Sequence, residues 1–165
     1  MIRIHIPVKP LVKHCLPSYL PEGIVDNTSV VGKYIVELLE KETNRYSKRY
    51  KSYTETAVLY VPYLIMIRDG GIFNETQALA FNNFMSMLIR IQLRTIMITY
   101  MEFDCSLSRA VIFARKQMNI TEEMYSDDAI NKDFTRWRAY QEAQGNKVPR
   151  VYKKDFGENV QLKNK

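Results

Sequence analysis

The feature that most constrains this sequence is a long apolar stretch, residues 74–102, which opens with a helix-start signature. Asn74 stands three residues before Gln77, the spacing at which the two side chains cap each other's backbone N–H groups. The residues that follow are mostly apolar, and as an unbroken helix they would be about 40 Å long. The fold therefore depends on what covers this helix.

The polar side chains of the predicted helix fall on one narrow stripe, made of Asn83, Ser86, Arg90 and Arg94. The other faces must be covered, by the protein core or by a second copy of the chain. A membrane span is the alternative, but it would place two arginines near the bilayer centre at about 2.5–3.5 kcal/mol each. We therefore predict a central core helix and no membrane partner, with the helix either nearly fully buried within the chain or covered by a second copy in a homo-oligomer.

Short strands and a second helix are predicted in the N-terminal half. Residues 2–6 alternate isoleucine with polar side chains up to Pro7, and residues 57–67 are rich in β-formers, so we expect an antiparallel pair. Residues 26–29 supply N-caps for a helix whose apolar positions recur at helical spacing. The predicted fold class is α+β and mostly helical, with a small antiparallel strand pair, a long central helix and a C-terminal helix-turn-helix-like pair. We predict one domain over residues 1–145 and a basic tail over residues 146–165.

The helix-turn-helix-like part covers about residues 106–143. Its first helix begins at Ser106 or Ser108 and directs Arg109 and Arg115 outward. Its second helix begins at residues 126–128 and ends near Ala143, and its apolar side is formed by Ile130, Phe134 and Trp137.

The second helix of such a motif enters the DNA major groove, where Arg reads guanine and Asn reads adenine. The outer face predicted to contact DNA consists of Asn131, Lys132, Thr135, Arg136 and Arg138, with Arg109 and Arg115 from the first helix. A solvated surface and a protein-docking face are the alternatives.

The net positive charge of the chain also favours binding to nucleic acid. Lys and Arg number 24 against 18 Asp and Glu, a net charge of +6, which favours nucleic acid or anionic lipid as partners. Residues 41–53 interleave cations with tyrosines, and the C-terminal tail includes Lys153 and Lys154. Both stretches suit phosphate contacts, and both also suit solvated ends of the fold.

Signatures of common enzyme classes are absent from the sequence. It has two histidines, His5 and His14, and no phosphate-binding loop, nucleophile elbow, dinucleotide fingerprint or zinc-protease motif. Acidic pairs such as Asp127 with Asp128 are more typical of helix caps than of metal sites. We predict no enzyme, no catalytic residue, no metal and no cofactor.

The two cysteines, Cys15 and Cys105, lack the spacing of a zinc site. We predict two buried free thiols in a reducing cytoplasm. Residues 1–7 alternate and end in proline, so they lack the apolar block of a secretion signal. We expect the protein to stay inside the cell that makes it.

Three parts of the chain resemble small proteins of phages and integrating elements from gut Bacteroidetes, and together they span most of the body. These parts are Lys9-Pro10, residues 80–84, and residues 120–123 followed by 133–138. The C-terminal part is also similar to the helix-turn-helix of phage middle-operon activators, without their glycine-containing turn. The resemblance implies a mobile-element origin, in the cytoplasm of a bacterial host or in a virion. We expect a DNA-binding regulator, or alternatively a phage structural or assembly protein.

Overall fold

The computed structural model describes residues 1–40, 53–69 and 73–148. Within them, six α-helices accompany a two-stranded antiparallel sheet, so the fold class is α+β and mostly helical, as predicted. The elements in chain order are β1 (Ile2–Val8), α1 (Pro10–Cys15), α2 (Val30–Glu40), β2 (Glu55–Val61), α3 (Tyr63–Asp69), α4 (Glu75–Glu102), α5 (Leu107–Gln117) and α6 (Asp127–Ala143). Two short 3-10 turns, Leu16–Ser18 and Pro21–Gly23, follow α1.

The sheet pairs the two predicted strands, with Ile2 opposite Val61 and Val8 opposite Glu55. β1 runs two residues beyond the predicted end at residue 6, through Pro7. The carbonyl of Pro7 accepts a hydrogen bond from α4, so the hydrogen-bonding side of this residue faces away from β2. A proline is tolerated there because it removes no hydrogen bond from the sheet ladder.

The prediction for the second strand was wrong at its C-terminal end. β2 stops at Val61, and the residues from Tyr63 onward form α3 instead of continuing to residue 67. Pro62 explains the change, since it cannot donate to the ladder, while its carbonyl accepts the N–H groups of Ile65 and Met66 and starts the helix. The β-branched residues of α3 suggested a strand, but Ile65 is buried and Ile67 is 61% exposed on the helix.

The start of α2 uses the predicted caps. Asp26 Oδ1 accepts the N–H groups of Thr28 and Ser29, and Ser29 Oγ accepts the N–H of Gly32 at 2.9 Å. A Cβ on Gly32 would lie 1.9 Å from the carbonyl oxygen of Asp26. The tight cap therefore requires glycine at this position.

The long helix α4 has the predicted bounds and the predicted capping box. Asn74 accepts the N–H of Gln77 at 3.0 Å, and Gln77 Oε1 accepts the N–H of Asn74 at 2.6 Å. One stripe of α4 is buried against the sheet, α1, α2 and α5, and it includes Phe81, Met85, Ile89, Leu93, Met97 and Met101.

Helix α4 was predicted to be either nearly fully buried within one chain or covered by a second copy. The first of these predictions is wrong. Met87 and Ile91 are 49% and 48% exposed, because the described elements pack against only one side of this long helix. Cover by a second copy stays a prediction.

Asn82 joins the N-terminal strand to the long helix. Its side chain is fully buried. Its Oδ1 accepts the N–H of Lys9 at 2.8 Å, and its Nδ2 donates to the carbonyls of Pro7 at 2.9 Å and Ala78 at 2.8 Å. These bonds hold the turn between β1 and α1 against α4.

Both thiols are free and Cys15 is buried, as predicted, but the predicted burial of Cys105 is wrong, since this residue is half-buried just past the end of α4. Among the described residues, no helix combines the length and apolar character needed to cross a bilayer.

Candidate nucleic-acid interface

Helix α6, the predicted DNA-reading helix, is fixed to the body by its apolar side. The hydroxyl of Ser126 caps its start by accepting the N–H of Ala129. Ile130 and Phe134 are buried, and the Phe134 ring lies 5.5 Å from the ring of half-buried Trp137. The predicted anchoring residues are therefore confirmed, and the opposite side of α6 is open to solvent.

Two of the predicted contact residues on that open side are paired within their own helix. Lys132 Nζ lies 2.7 Å from Asp128 Oδ2, and Arg138 Nε lies 2.7 Å from Glu142 Oε1. Such exposed pairs four residues apart contribute about 0.3–0.5 kcal/mol. A phosphate group can displace either carboxylate at little cost, but in this structure both cations are bound to carboxylates of their own helix.

The other three predicted contact residues of α6 differ in exposure. Thr135 and Arg136 are exposed. Asn131 is half-buried, and its Oδ1 has no hydrogen-bond partner among the residues that the structure describes. Arg136 is therefore the cation of this face best placed to meet a partner.

The charge along α6 is poorly suited to a recognition helix. The helix contains four acids and three cations, and two of the acids, Asp127 and Asp128, lie in its first turn. A recognition helix presents that end to the major groove, where carboxylates meet the negative phosphates. The connection from α5, residues 118–126, is also longer than a tight helix-turn-helix turn. Both features weigh against base reading by the start of α6.

Arg115, predicted to contact DNA from α5, binds the loop that precedes α6. Its Nε lies 2.6 Å from Asp127 Oδ1, one Nη lies 3.1 Å from Glu122 Oε2, and the other donates to the carbonyl of Ile120 at 3.2 Å. The hydrogen bond to Asp127 raises the pKa of Arg115. The side chain is 18% exposed, so it positions α6 and offers little surface to a ligand.

The remaining predicted contact residues are spread over two regions. Arg109 is exposed on α5. Lys153 and Lys154 lie outside the described residues. Among the described residues, the structure thus brings together the predicted contact residues of α6, with Arg109 on the preceding helix.

Positive charge is concentrated in two segments of the sequence. Residues 41–52 contain five Lys or Arg and one Glu, a net charge of +4. Residues 149–165 contain five Lys or Arg, one Asp and one Glu, a net charge of +3. Because the whole chain carries +6, the rest of it carries −1. The excess that suggested nucleic acid therefore belongs to these two segments, which lie outside the described residues.

A cationic cleft that sequence reasoning missed lies where α4 meets the turn between β1 and α1. This basic cleft is lined by Lys9, Asn83, Ser86, Met87, Arg90 and Arg94. A second hollow shares Lys9, Ser86 and Arg90 with it and extends to the loop before α6, at Glu123 and Tyr125.

The two arginines of the basic cleft share one carboxylate from α6. Arg94 donates to Asp133 Oδ2 through Nε at 3.0 Å and Nη2 at 2.8 Å, and Arg90 Nε lies 3.8 Å from Asp133 Oδ1. The guanidinium carbon of Arg94 also lies 5.6 Å from the centre of the Trp137 ring. The spacing of Arg90 and Arg94 by four residues signalled a common face, but their approach to Asp133 is tertiary.

Among the described residues, no group of three His, Cys, Asp or Glu side chains is arranged to bind a metal ion. Comparisons of the chain with protein-family models, with curated proteins and with solved structures found no match.

Proposed function

We propose that this protein binds nucleic acid, with duplex DNA as the first candidate, through contacts to phosphate groups and without catalysing a reaction. The observation that carries the proposal is the distribution of charge. Residues 41–52 and 149–165 carry +4 and +3, while the remainder of the chain carries −1. Each Lys or Arg that neutralises a phosphate releases counterions, which drives binding independently of base sequence.

Aromatic residues between the cations support the same function. Tyr46 and Tyr50 interleave the first segment, and Tyr152 and Phe156 interleave the second. Aromatic rings beside cations stack on bases where a strand is unpaired, at about 1–3 kcal/mol per base. The proposal therefore extends to single strands and to locally opened duplexes.

Base reading by α6 is a finer part of the proposal, consistent with a regulator from a phage or an integrating element. Its support is that Thr135 and Arg136 are exposed and Arg138 is half-exposed on a helix that buried Ile130 and Phe134 anchor to the body. If α6 reads bases, Arg138→Ala costs about 1–3 kcal/mol on a preferred site and little on random DNA. An equal loss of affinity on both kinds of DNA would mean that Arg138 contacts phosphate groups and does not read bases.

The main proposal is tested by charge neutralisation in the full-length chain, with fluorescence anisotropy of a labelled duplex as the readout. The test variant replaces five cations of one segment with Gln, namely Lys41, Arg45, Lys48, Arg49 and Lys51. The matched control replaces five exposed cations of the described body that have no proposed role in binding, namely Arg3, Lys13, Lys33, Lys116 and Lys147.

Both variants lower the net charge by the same amount, so they separate location from total charge. We expect the test variant to lose about tenfold or more in affinity at ~100 mM salt, and the control to lose clearly less. Equal losses, or no binding by the unmodified chain at low salt, would contradict the proposal.

Self-assembly, the activity of a structural or assembly protein, is a second candidate function. It is favoured by apolar side chains exposed near the junction of α4 and α5. Phe103 is 80% exposed, Ile112 is 37% exposed and Phe113 is 41% exposed. Tyr100 stacks on Phe113 with ring centres 4.9 Å apart. Light scattering of the unmodified chain and of Phe103→Ser tests this function, which predicts an oligomer that the substitution weakens.

A further inference from the structure

We propose that the basic cleft binds a phosphate group, either free in solution or carried by a nucleic acid; only the second source rests on the function proposed above. The cleft has a volume of about 270 Å³. It is formed by residues that the structure describes, none of which belongs to the two strongly basic segments of the sequence. The proposal is argued from the charge, the anchoring and the donors of this cleft.

The arginine pair of the cleft has more positive charge than its partner neutralises. Among the described residues, Asp133 is the one carboxylate within 4.0 Å of Arg90 or Arg94. Arg94 occupies one oxygen of that carboxylate with two N–H donors, whereas Arg90 lies 3.8 Å away and its side chain is 51% exposed. The pair therefore keeps one net positive charge, and Arg90, which also hydrogen-bonds to Tyr125, holds its half-exposed guanidinium less tightly to Asp133 than Arg94 does.

A third cation is supplied by Lys9 from the opposite wall. Its backbone is fixed, because its N–H donates to the fully buried Asn82 on α4. Its ammonium group lies 6.0 Å from the centre of the Tyr53 ring. The backbone of Lys9 is thus already ordered before a ligand binds, so no backbone ordering is needed at this wall of the cleft.

The chemistry of the cleft favours phosphate over a single carboxylate. Asp133 already supplies a carboxylate beside Arg94, so a competing ligand gains most if it carries more charge and more acceptor oxygens. Glu123, which would repel an anion, lines the adjoining hollow and not the basic cleft itself. Asn83, exposed on the cleft wall, adds a neutral amide donor.

The test is a titration of the full chain with inorganic phosphate, at constant ionic strength maintained with chloride, followed by calorimetry and by amide shifts in NMR. Lys9→Gln and Arg90→Gln each remove one cation of the cleft, and Lys116→Gln is the matched control at an exposed position of α5. We expect saturable binding that each cleft variant weakens by about tenfold or more and that the control leaves nearly unchanged. Amide shifts of the unmodified chain should concentrate at residues 9, 83, 86 and 90.

Absence of saturable phosphate binding, or equal affinity in the cleft variants and the unmodified chain, would overturn the proposal. Lys9→Gln keeps the backbone N–H that bonds to Asn82, so it decides the question if Arg90→Gln fails to fold. Shifts centred elsewhere in the unmodified chain would also overturn it, without any variant.

A parallel titration with an oligonucleotide identifies the source of the phosphate. If the cleft serves nucleic acid, Arg90→Gln weakens oligonucleotide binding and inorganic phosphate competes with it. If it serves free phosphate, Arg90→Gln loses phosphate and binds the oligonucleotide like the unmodified chain. Phosphate binding without any oligonucleotide binding would refute the function proposed above and leave the cleft site standing.

Discussion

Replacement of Asn82 by Ala should destabilise the fold far more than the same replacement at the adjacent Asn83. Asn82 is fully buried and bonds to the N–H of Lys9 and the carbonyl of Pro7. Truncation leaves both backbone groups without that partner, at about 1–3 kcal/mol for each unsatisfied group. The carbonyl of Ala78 loses less, because it remains within the hydrogen-bonding pattern of α4. The expected loss in the free energy of unfolding is therefore about 2–6 kcal/mol.

Urea denaturation and thermal melting, both followed by circular dichroism, measure this difference. For a chain of this size, about 2–4 °C of melting temperature corresponds to each kcal/mol, so Asn82→Ala should lower it by roughly 4–24 °C. Asn83 is exposed on the same helix, and Asn83→Ala should change stability by no more than about 0.5 kcal/mol. If the two variants unfold alike, the side chain of Asn82 does not hold the β1–α1 turn on α4, and the anchoring argument for Lys9 fails with it.

Three further predictions concern stability and reactivity. Phe134→Ala should lower the free energy of unfolding by about 3–5 kcal/mol, because it empties a fully buried ring site; a melting temperature within a few degrees of the original would refute the core position. Hydrogen bonds, first from the Ser29 N–H, lower the pKa of Asp26 below its ordinary 3.8, so its contribution is present above that pH and is lost as the pH falls. Asp26→Asn should accordingly reduce the loss of stability between about pH 5 and pH 2, and an unchanged pH profile would count against the cap. Burial raises the pKa of the Cys15 thiol to about 11, so at pH 8 it should react with a thiol reagent only after unfolding; rapid labelling of Cys15 in the folded chain would contradict its burial.

The capping box of α4 shows what the sequence predicts well. Asn74 and Gln77 are three residues apart, and the bonds between them depend on nothing beyond the first helical turn. The caps of α2 at residues 26–29 and the anchoring face of α6 were predicted for the same reason. Local spacing fixes such features before any tertiary contact forms.

The end of β2 shows where local reasoning fails. Composition favoured a strand through residue 67, but Pro62 ended the ladder and its carbonyl started α3. Burial then selected Ile65 for the core and left Leu64 79% exposed. A short apolar run near a proline has no periodicity strong enough to separate strand from helix.

The basic cleft was beyond sequence reasoning because it depends on contacts across the chain. Arg90 and Arg94 were recognised as polar positions on one stripe of a helix. Their partner Asp133 comes from α6, and Lys9 comes from the turn after β1. The predicted DNA face of α6, by contrast, depended on one helix alone. Its ion pair between Lys132 and Asp128 could have been predicted from the sequence, because the two residues are four positions apart on a helix.

The central claim, that phosphate contacts from two basic segments hold nucleic acid, is tested most directly by the salt dependence of duplex binding. The apparent association constant of the full chain is measured from about 50 to 200 mM salt and plotted on logarithmic axes, where each phosphate contact contributes a slope of about −0.9. We predict a steep negative slope that becomes shallower, by up to about 4.5 units, when the five cations of residues 41–52 are replaced by Gln. A flat plot, or the same slope in both proteins, would contradict the account.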